Sequence, residues 1–254
     1  NFAHTLLRAG DAPRALAVSE AALRLMPDHQ GALAYLGSAL ELLGDSRATA
    51  LNDYDELVQT FEISPPSGYR DIESFNLDLC EYLDRLHRDK REVLDQTLRN
   101  GTQTLGDLFG EQHDLVERLR IRIDEAVQRY ISGLKLDERH PLMRRRRPSF
   151  SYAGSWSSRL NDCGFHTNHY HSMGWISSAY YVAVPDVAAD VAQRQGWIKF
   201  GEPGFDAGSK LPIRRAVRPQ SGTLVLFPSY MWHGTVPFHS RQDRTTVAFD
   251  VVPK

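Results

Sequence analysis

The sequence predicts an α+β protein in two unlike parts, helices first and then an antiparallel β-domain of the jelly-roll or cupin-like kind. Three observations lead there. Up to residue 134, apolar residues recur every three or four positions, the period of a helix with one buried face. From residue 150 the rhythm changes to short apolar runs separated by Gly, Pro, Asn and Asp, which marks strands. Three of the ten histidines, His166, His169 and His171, then fall together just ahead of a β-favouring run, Trp175, Ile176, Tyr180, Tyr181 and Val182. At 254 residues the chain exceeds the usual single domain and has room for two. The expected division is 1–62 for helical repeats, 63–147 for a helical linker with support helices, and 148–254 for the β-domain.

The first 60 residues read as helix hairpins. Leu6, Gly10, Ala15, Ala22 and Pro27 resemble the tetratricopeptide pattern, with Leu33, Leu36, Gly37, Leu40 and Gly44 opening a second unit in register. This implies one and a half to two repeat units. The first five positions of the first repeat are missing, so the natural N-terminus is expected to lie upstream. An ordinary helical bundle is the alternative. Such units cannot bury their apolar faces alone and must stack on neighbours. Ser64-Pro-Pro-Ser-Gly interrupts the pattern.

A helix is expected over 71–87, with Phe75, Leu79, Leu83 and Leu86 on its buried face, and another over 111–134, buried through Leu115, Leu119, Ile123, Val127, Tyr130 and Leu134. The charged stretch 88–101 reads as a loop. The basic run Arg144–Arg147 reads as a solvated junction, or as a handle for an acidic substrate segment. Strands are expected near 150–157, 165–170, 175–184, 197–200, 213–217, 223–227, 234–238 and 244–252. About eight short strands suit a jelly roll.

The chemistry-bearing residues sit on these strands. Alternate residues of a strand point the same way, so His169 and His171 can converge on one point. A metal needs at least a third ligand, and His233 is the candidate, carried in by the apolar run 223–227. Arg244 opens the next strand, and Thr246, two residues on, shares its face. His166, of opposite parity, is not expected to ligate. Two close ligands, one distant ligand and an arginine soon after are the parts of a non-haem Fe(II), 2-oxoglutarate-dependent oxygenase.

HYH at 169–171, SAYYV at 178–182, FPSYMWH at 227–233 and RTTVAF at 244–249 resemble the 2-oxoglutarate/Fe(II) dioxygenases, which include the prolyl hydroxylases. The likeness is greatest to a bacterial branch that often follows tetratricopeptide repeats and commonly carries His-x-His where the wider family has His-x-Asp. It covers roughly the last hundred residues, the span of one small β-domain. It implies a double-stranded β-helix, an iron site of His169, His171 and His233, and the cofactors Fe(II) and 2-oxoglutarate. Arg244 and Thr246 would hold the cosubstrate, with Tyr181 at a position that binds its carboxylate in related enzymes and Ser177 on the same strand parity. Substrate hydroxylation with release of succinate and CO₂ would follow. A protein or peptide substrate, held by the repeats, is the first expectation.

The histidine at 171 has an electrostatic consequence. Two histidines and a carboxylate leave Fe(II) with one positive charge, whereas three neutral imidazoles leave two. The dianionic cosubstrate then neutralises the centre. Protonated imidazole cannot ligate, so metal binding becomes more pH-sensitive. Two other readings remain open on the residues alone. One is a three-histidine dioxygenase that binds its organic substrate directly and uses no 2-oxoglutarate. The other is a repeat-based interaction protein with an inactive oxygenase-like domain.

Composition narrows the partners. Lys+Arg 30 against Asp+Glu 32 leaves a net charge of −2, which predicts neither nucleic acid nor an acidic membrane surface as partner. No apolar run approaches the length of a membrane span. The two cysteines, Cys80 and Cys163, are far apart in sequence and read as buried thiols of a reducing compartment, the cytoplasm.

Overall fold

A computed structural model describes residues 2–87 and 97–254. The helical part contains α1 (Phe2–Arg8), α2 (Ala12–Leu25), α3 (Gln30–Leu42) and the short α4 (Arg47–Leu51) and α5 (Tyr54–Leu57). Local chemistry sets the boundaries. Gly10, at φ 78°, takes the left-handed turn between α1 and α2. The Asp11 carboxylate then accepts from the Arg14 amide to cap α2.

The β-domain is two antiparallel sheets. Its strands are β1 (Gln59–Glu62), β2 (Leu98–Gln103), β3 (Phe150–His166), β4 (Ile176–Ala183), β5 (Ile198–Phe200), β6 (Arg215–Val217), β7 (Thr223–Pro228), β8 (His233–Thr235) and β9 (Arg244–Pro253). The larger sheet runs β1-β7-β4-β9-β3-β2 and the smaller runs β6-β5-β8. Two long helices, α6 (Ile72–His87) and α7 (Asp114–Gly133), pack against β4 and β7. Phe75, Leu79 and Leu83 of α6, and Ile123, Val127 and Tyr130 of α7, are fully buried there, as their spacing predicts. The Tyr180 hydroxyl donates to Asn76 of α6, which fixes the helix-facing side of β4. Residues 177, 179 and 181 therefore face the other way, into the space between the sheets.

Several expectations change. The strands expected at 150–157 and 165–170 are one strand, β3, of 17 residues. Pairing with β9 along most of its length holds it together through the intervening polar residues. The segment after it, 167–175, is irregular apart from a single bridge between His169 and His233. The His-x-His pair is therefore presented by a loop, not by a regular strand. Two strands lie where only helix or loop was expected: β1 and β2 cover opposite edges of the larger sheet. β1 has four residues and β2 contains Asn-Gly, so neither shows a strand pattern until a partner supplies the hydrogen bonds. Residues 88–96, most of the charged stretch read as a loop, lie outside the described residues.

Arg147 of the basic run is exposed as expected, but its neighbours are partly buried and tied down. Arg144 donates to the Pro27 carbonyl and to Asp28, and Arg146 donates to the carbonyls of Leu134 and Ser132. These bonds tie the junction to the helical part and to the end of α7. Cys80 and Cys163 are half-buried and unpaired. Among the described residues no helix is long and apolar enough to cross a membrane.

The helical part meets the β-domain through Trp232, beside His233. Its indole N–H reaches the Ala34 carbonyl (3.2 Å) and Ser38 Oγ (3.1 Å) on α3, and its ring meets Tyr35, Tyr170 and Phe205 edge-on. Trp232→Ala should cost about 3–5 kcal/mol of stability, the usual range for a buried aromatic. Equilibrium denaturation checks this. A loss no greater than about 1 kcal/mol, the centre of ordinary point mutations, would show that α3 is not anchored there.

Candidate metal centre

The three histidines reach one place from two directions. β7 runs into the Phe-Pro-Ser turn, which leads to His233 at the start of β8. The loop after β3 is then clamped to that turn. The His171 amide donates to the Ser229 carbonyl (2.9 Å), and the Ser229 amide donates to the Trp175 carbonyl (3.1 Å). His169 and His233 exchange both backbone bonds, at 2.8 and 2.9 Å. Gly174 lets the loop pass this close, since a Cβ there would collide with the Ser229 side chain.

One ring nitrogen from each of His169, His171 and His233 lies within 4.8 Å of the others. Their outer nitrogens decide which inner ones are free. His169 Nδ1 faces the Thr167 carbonyl (2.7 Å), His233 Nδ1 faces the Met231 carbonyl (2.9 Å), and His171 Nδ1 faces the Asp250 carboxylate (2.7 and 2.9 Å). Each partner is an acceptor, so each Nδ1 is the donor and each Nε2 is the nitrogen left to face the cluster. The Nε2 atoms of His169 and His171 are 3.1 Å apart. At that distance either one Nε2 carries a proton and donates to the other, or a cation lies between them. Two nitrogens about 2.1 Å from one ion, at a right angle, are about 3 Å apart. The donor set thus fits a divalent transition metal. Burial disfavours the charged form of two of the rings. It pushes His169 down to about 3, with His171 beside it adding to the effect, and holds His233 well below the usual imidazole range.

A cavity of about 370 Å³ opens on this cluster. Arg244, 2% exposed, lines it from the first position of β9. Its Nε donates to the Gly196 carbonyl (3.0 Å), and among the described residues no carboxylate pairs with the guanidinium. Its carbon lies 5.0 Å from the centre of the Tyr181 ring. Burial lowers the affinity of Arg244 for its proton, and Tyr181 beside it works the other way. The Tyr181 hydroxyl is buried under this arginine without a well-aligned hydrogen bond. Thr246 lines the cavity on the same strand face. Arg218 and Arg241, the other arginines near this part of the chain, are exposed and outside it.

Ser177 lies apart from the arginine. Its hydroxyl donates to Asp250 (2.6 Å) and contacts Ser229 Oγ (2.8 Å), so it belongs to the support of the histidines rather than to the cavity wall. His166 lines the cavity but stays out of the three-nitrogen cluster, with Nδ1 3.3 Å from Thr235 Oγ1. Asp162 and Asp186, the nearest carboxylates in sequence, do not line the cavity. Sequence reasoning missed Asp250. The signal was strand parity, because Arg244, Thr246, Ala248 and Asp250 share one face of β9 and all line the cavity. The Trp156 indole also lines the cavity, 5.6 Å from the His171 ring.

Residues 154–250 match the family described as "Putative 2OG-Fe(II) oxygenase". No curated protein matches at a significant level. Among solved structures, a prolyl-4-hydroxylase from Pseudomonas putida superposes with a TM-score of 0.53 at 13% identity, over 81% of this chain and 98% of its own. HygX from Streptomyces hygroscopicus, with nickel, 2-oxoglutarate and hygromycin B bound, has a TM-score of 0.50 at 14% identity, over 80% and 86%. AviO1 from Streptomyces viridochromogenes Tue57 has a TM-score of 0.51 at 10% identity, over 80% and 94%. At these identities the structures establish a shared fold.

Proposed function

We propose that this chain, whose residues 154–250 belong to the 2OG-Fe(II) oxygenase family and make it a 2-oxoglutarate-dependent Fe(II) oxygenase, hydroxylates a protein or peptide substrate with release of succinate and CO₂. One observation carries the site assignment: three clustered imidazole nitrogens and a buried arginine that pairs with no carboxylate among the described residues face the same cavity. His169, His171 and His233 would hold the metal. Arg244 would take the remote carboxylate of 2-oxoglutarate, with Thr246 and Tyr181 offering hydroxyls beside it. A buried guanidinium without a carboxylate is costly, and a planar bidentate partner is what its fork accepts best.

When bound, Fe(II) and 2-oxoglutarate supply the activation of O₂ and the oxidation of substrate. The chain's own residues do the positioning. The carbonyls of Thr167 and Met231 hold two imidazoles in the ligating tautomer. Trp156 walls the cavity beside His171, and its apolar face limits water there.

The substrate class rests on the helical part. We read α1 to α3 as a tetratricopeptide-like remnant in a unit spanning 1–62, with 63–147 as support and 148–254 as the catalytic domain. Arrays of this kind bind peptides in concave grooves, and this one docks through Trp232 beside a metal ligand. The half-buried unpaired thiols favour a cytoplasmic setting.

Anaerobic titration with Fe(II) and 2-oxoglutarate tests the reading. A visible charge-transfer band should appear only when both are present. His166→Ala should leave the band and succinate formation within a few-fold of the parent, because its ring is outside the cluster. A band that needs no 2-oxoglutarate, or its loss in His166→Ala, would sink the assignment.

A further inference from the structure

Asp250 is the feature the family resemblance does not explain. It lies on β9 with 7% of its surface exposed, and both carboxylate oxygens accept from His171 Nδ1, at 2.7 and 2.9 Å. Those oxygens are at the edge of the ring opposite Nε2, so Asp250 does not reach the point where the three Nε2 atoms converge. A second donor, Ser177 Oγ, holds Oδ1 at 2.6 Å, and Ser177 is held in turn by Ser229 at 2.8 Å. The same Ser229 accepts the His171 amide through its carbonyl. Backbone and side chain of His171 are thus fixed from one hub. The other two histidines have only neutral backbone carbonyls behind them. The asymmetry falls on position 171, the one place where the wider family has a carboxylate ligand.

We propose that Asp250 is the displaced carboxylate of this metal centre: one hydrogen bond behind His171, it supplies the negative charge that a His-x-Asp face puts directly on the metal. This rests on the ligand assignment proposed above. Three neutral imidazoles leave a divalent ion with two positive charges, and Asp250 brings the total for the site back to one. It also orients the imidazole and raises its basicity, as carboxylates behind metal-bound histidines do. Asp250 is a positioning residue and touches neither metal nor cosubstrate.

A charge role and a purely structural role predict different signs. Asp250→Asn keeps an acceptor opposite His171 Nδ1 but removes the charge. Fe(II) affinity, measured anaerobically by calorimetry, should fall about 10- to 100-fold, the usual effect of losing such a partner. The affinity of the metal-loaded protein for the dianion 2-oxoglutarate should hold or rise, because the centre is now more positive. Loss of both affinities together would mean that Asp250 only supports the loop, and would overturn the proposal. So would Fe(II) affinity within threefold of the parent. His171→Ala is run alongside. If it too keeps its metal, the ligand assignment has failed; if it loses metal while Asp250→Asn does not, that assignment stands and only this proposal falls. Should Asp250→Asn not fold, the parent protein loaded with Zn(II) still decides. A solvent-protected imidazole N–H resonance, well downfield of the backbone amides and lost in His171→Asp, is expected, and its absence would overturn the pairing.

Discussion

His171→Ala should abolish succinate formation and leave Fe(II) weakly held. Two protein ligands hold iron poorly and leave its geometry loose. The change also removes the donor that Asp250 accepts from, so a carboxylate 7% exposed is left with Ser177 as its remaining side-chain donor. Fe(II) calorimetry and succinate assay on the same preparation check it. His171→Asp is the sharper comparison. It would restore the ligand set common in the wider family, so Fe(II) should still bind. Activity is partial at best, since the shorter side chain springs from a loop shaped for imidazole and displacements near 1 Å cost about a hundredfold. The Asp250 network adds a second reason: the new carboxylate faces an existing one with no N–H between them. Full activity in His171→Ala would remove residue 171 from the ligand set.

Arg244→Ala should weaken 2-oxoglutarate binding by tens- to thousands-fold while Fe(II) affinity stays within a few-fold. The arginine is 2% exposed, and no carboxylate pairs with it among the described residues. A ligand carboxylate there makes a buried, charge-assisted pair, and truncating one partner of such a pair costs about 2–5 kcal/mol. Arg244→Lys recovers only part of the loss, because an ammonium cannot reproduce the planar fork. Titration of the Fe(II)-loaded protein with 2-oxoglutarate reads the effect. Arg241→Ala and Arg218→Ala, both changes on the surface, serve as controls. If either surface change matches Arg244→Ala, the cosubstrate assignment is wrong.

How far the site was legible depended on the span of each signal. His169 and His171 were visible because two like residues at spacing two, beside a β-rich run, form a local pattern. His233 and Arg244 were visible only through the order of motifs along the chain. Ser177 was misplaced because parity tells which face a residue is on, and not which neighbour on that face it meets. It shares a face with Tyr181, yet lies opposite Asp250 in the β4–β9 register, while Tyr181 lies opposite Thr246. A four-residue step along the strand separates the arginine's surroundings from the histidines' support. Asp250 sat on a readable face but had no reason to matter until His171 was seen to point its outer nitrogen at it.

The sequence by itself determined the order of the two parts, the buried faces of α6 and α7, and which three histidines and which arginine form the candidate site. Each is written in spacing along one stretch of chain, where periodicity of 3.6 or 2 is the whole signal. Tertiary structure alone decided the rest. β1 and β2 are strands only because β7 and β3 complete their hydrogen bonds. The His-x-His pair is a loop clamped by Ser229 rather than a strand, because the backbone bonds of that segment go to residues about sixty positions away. The carboxylate absent from position 171 lies 79 residues on, behind the imidazole. A charge can be moved that far along a chain without leaving its site, because an electrostatic interaction depends on distance through space and the dielectric between, and not on separation in sequence.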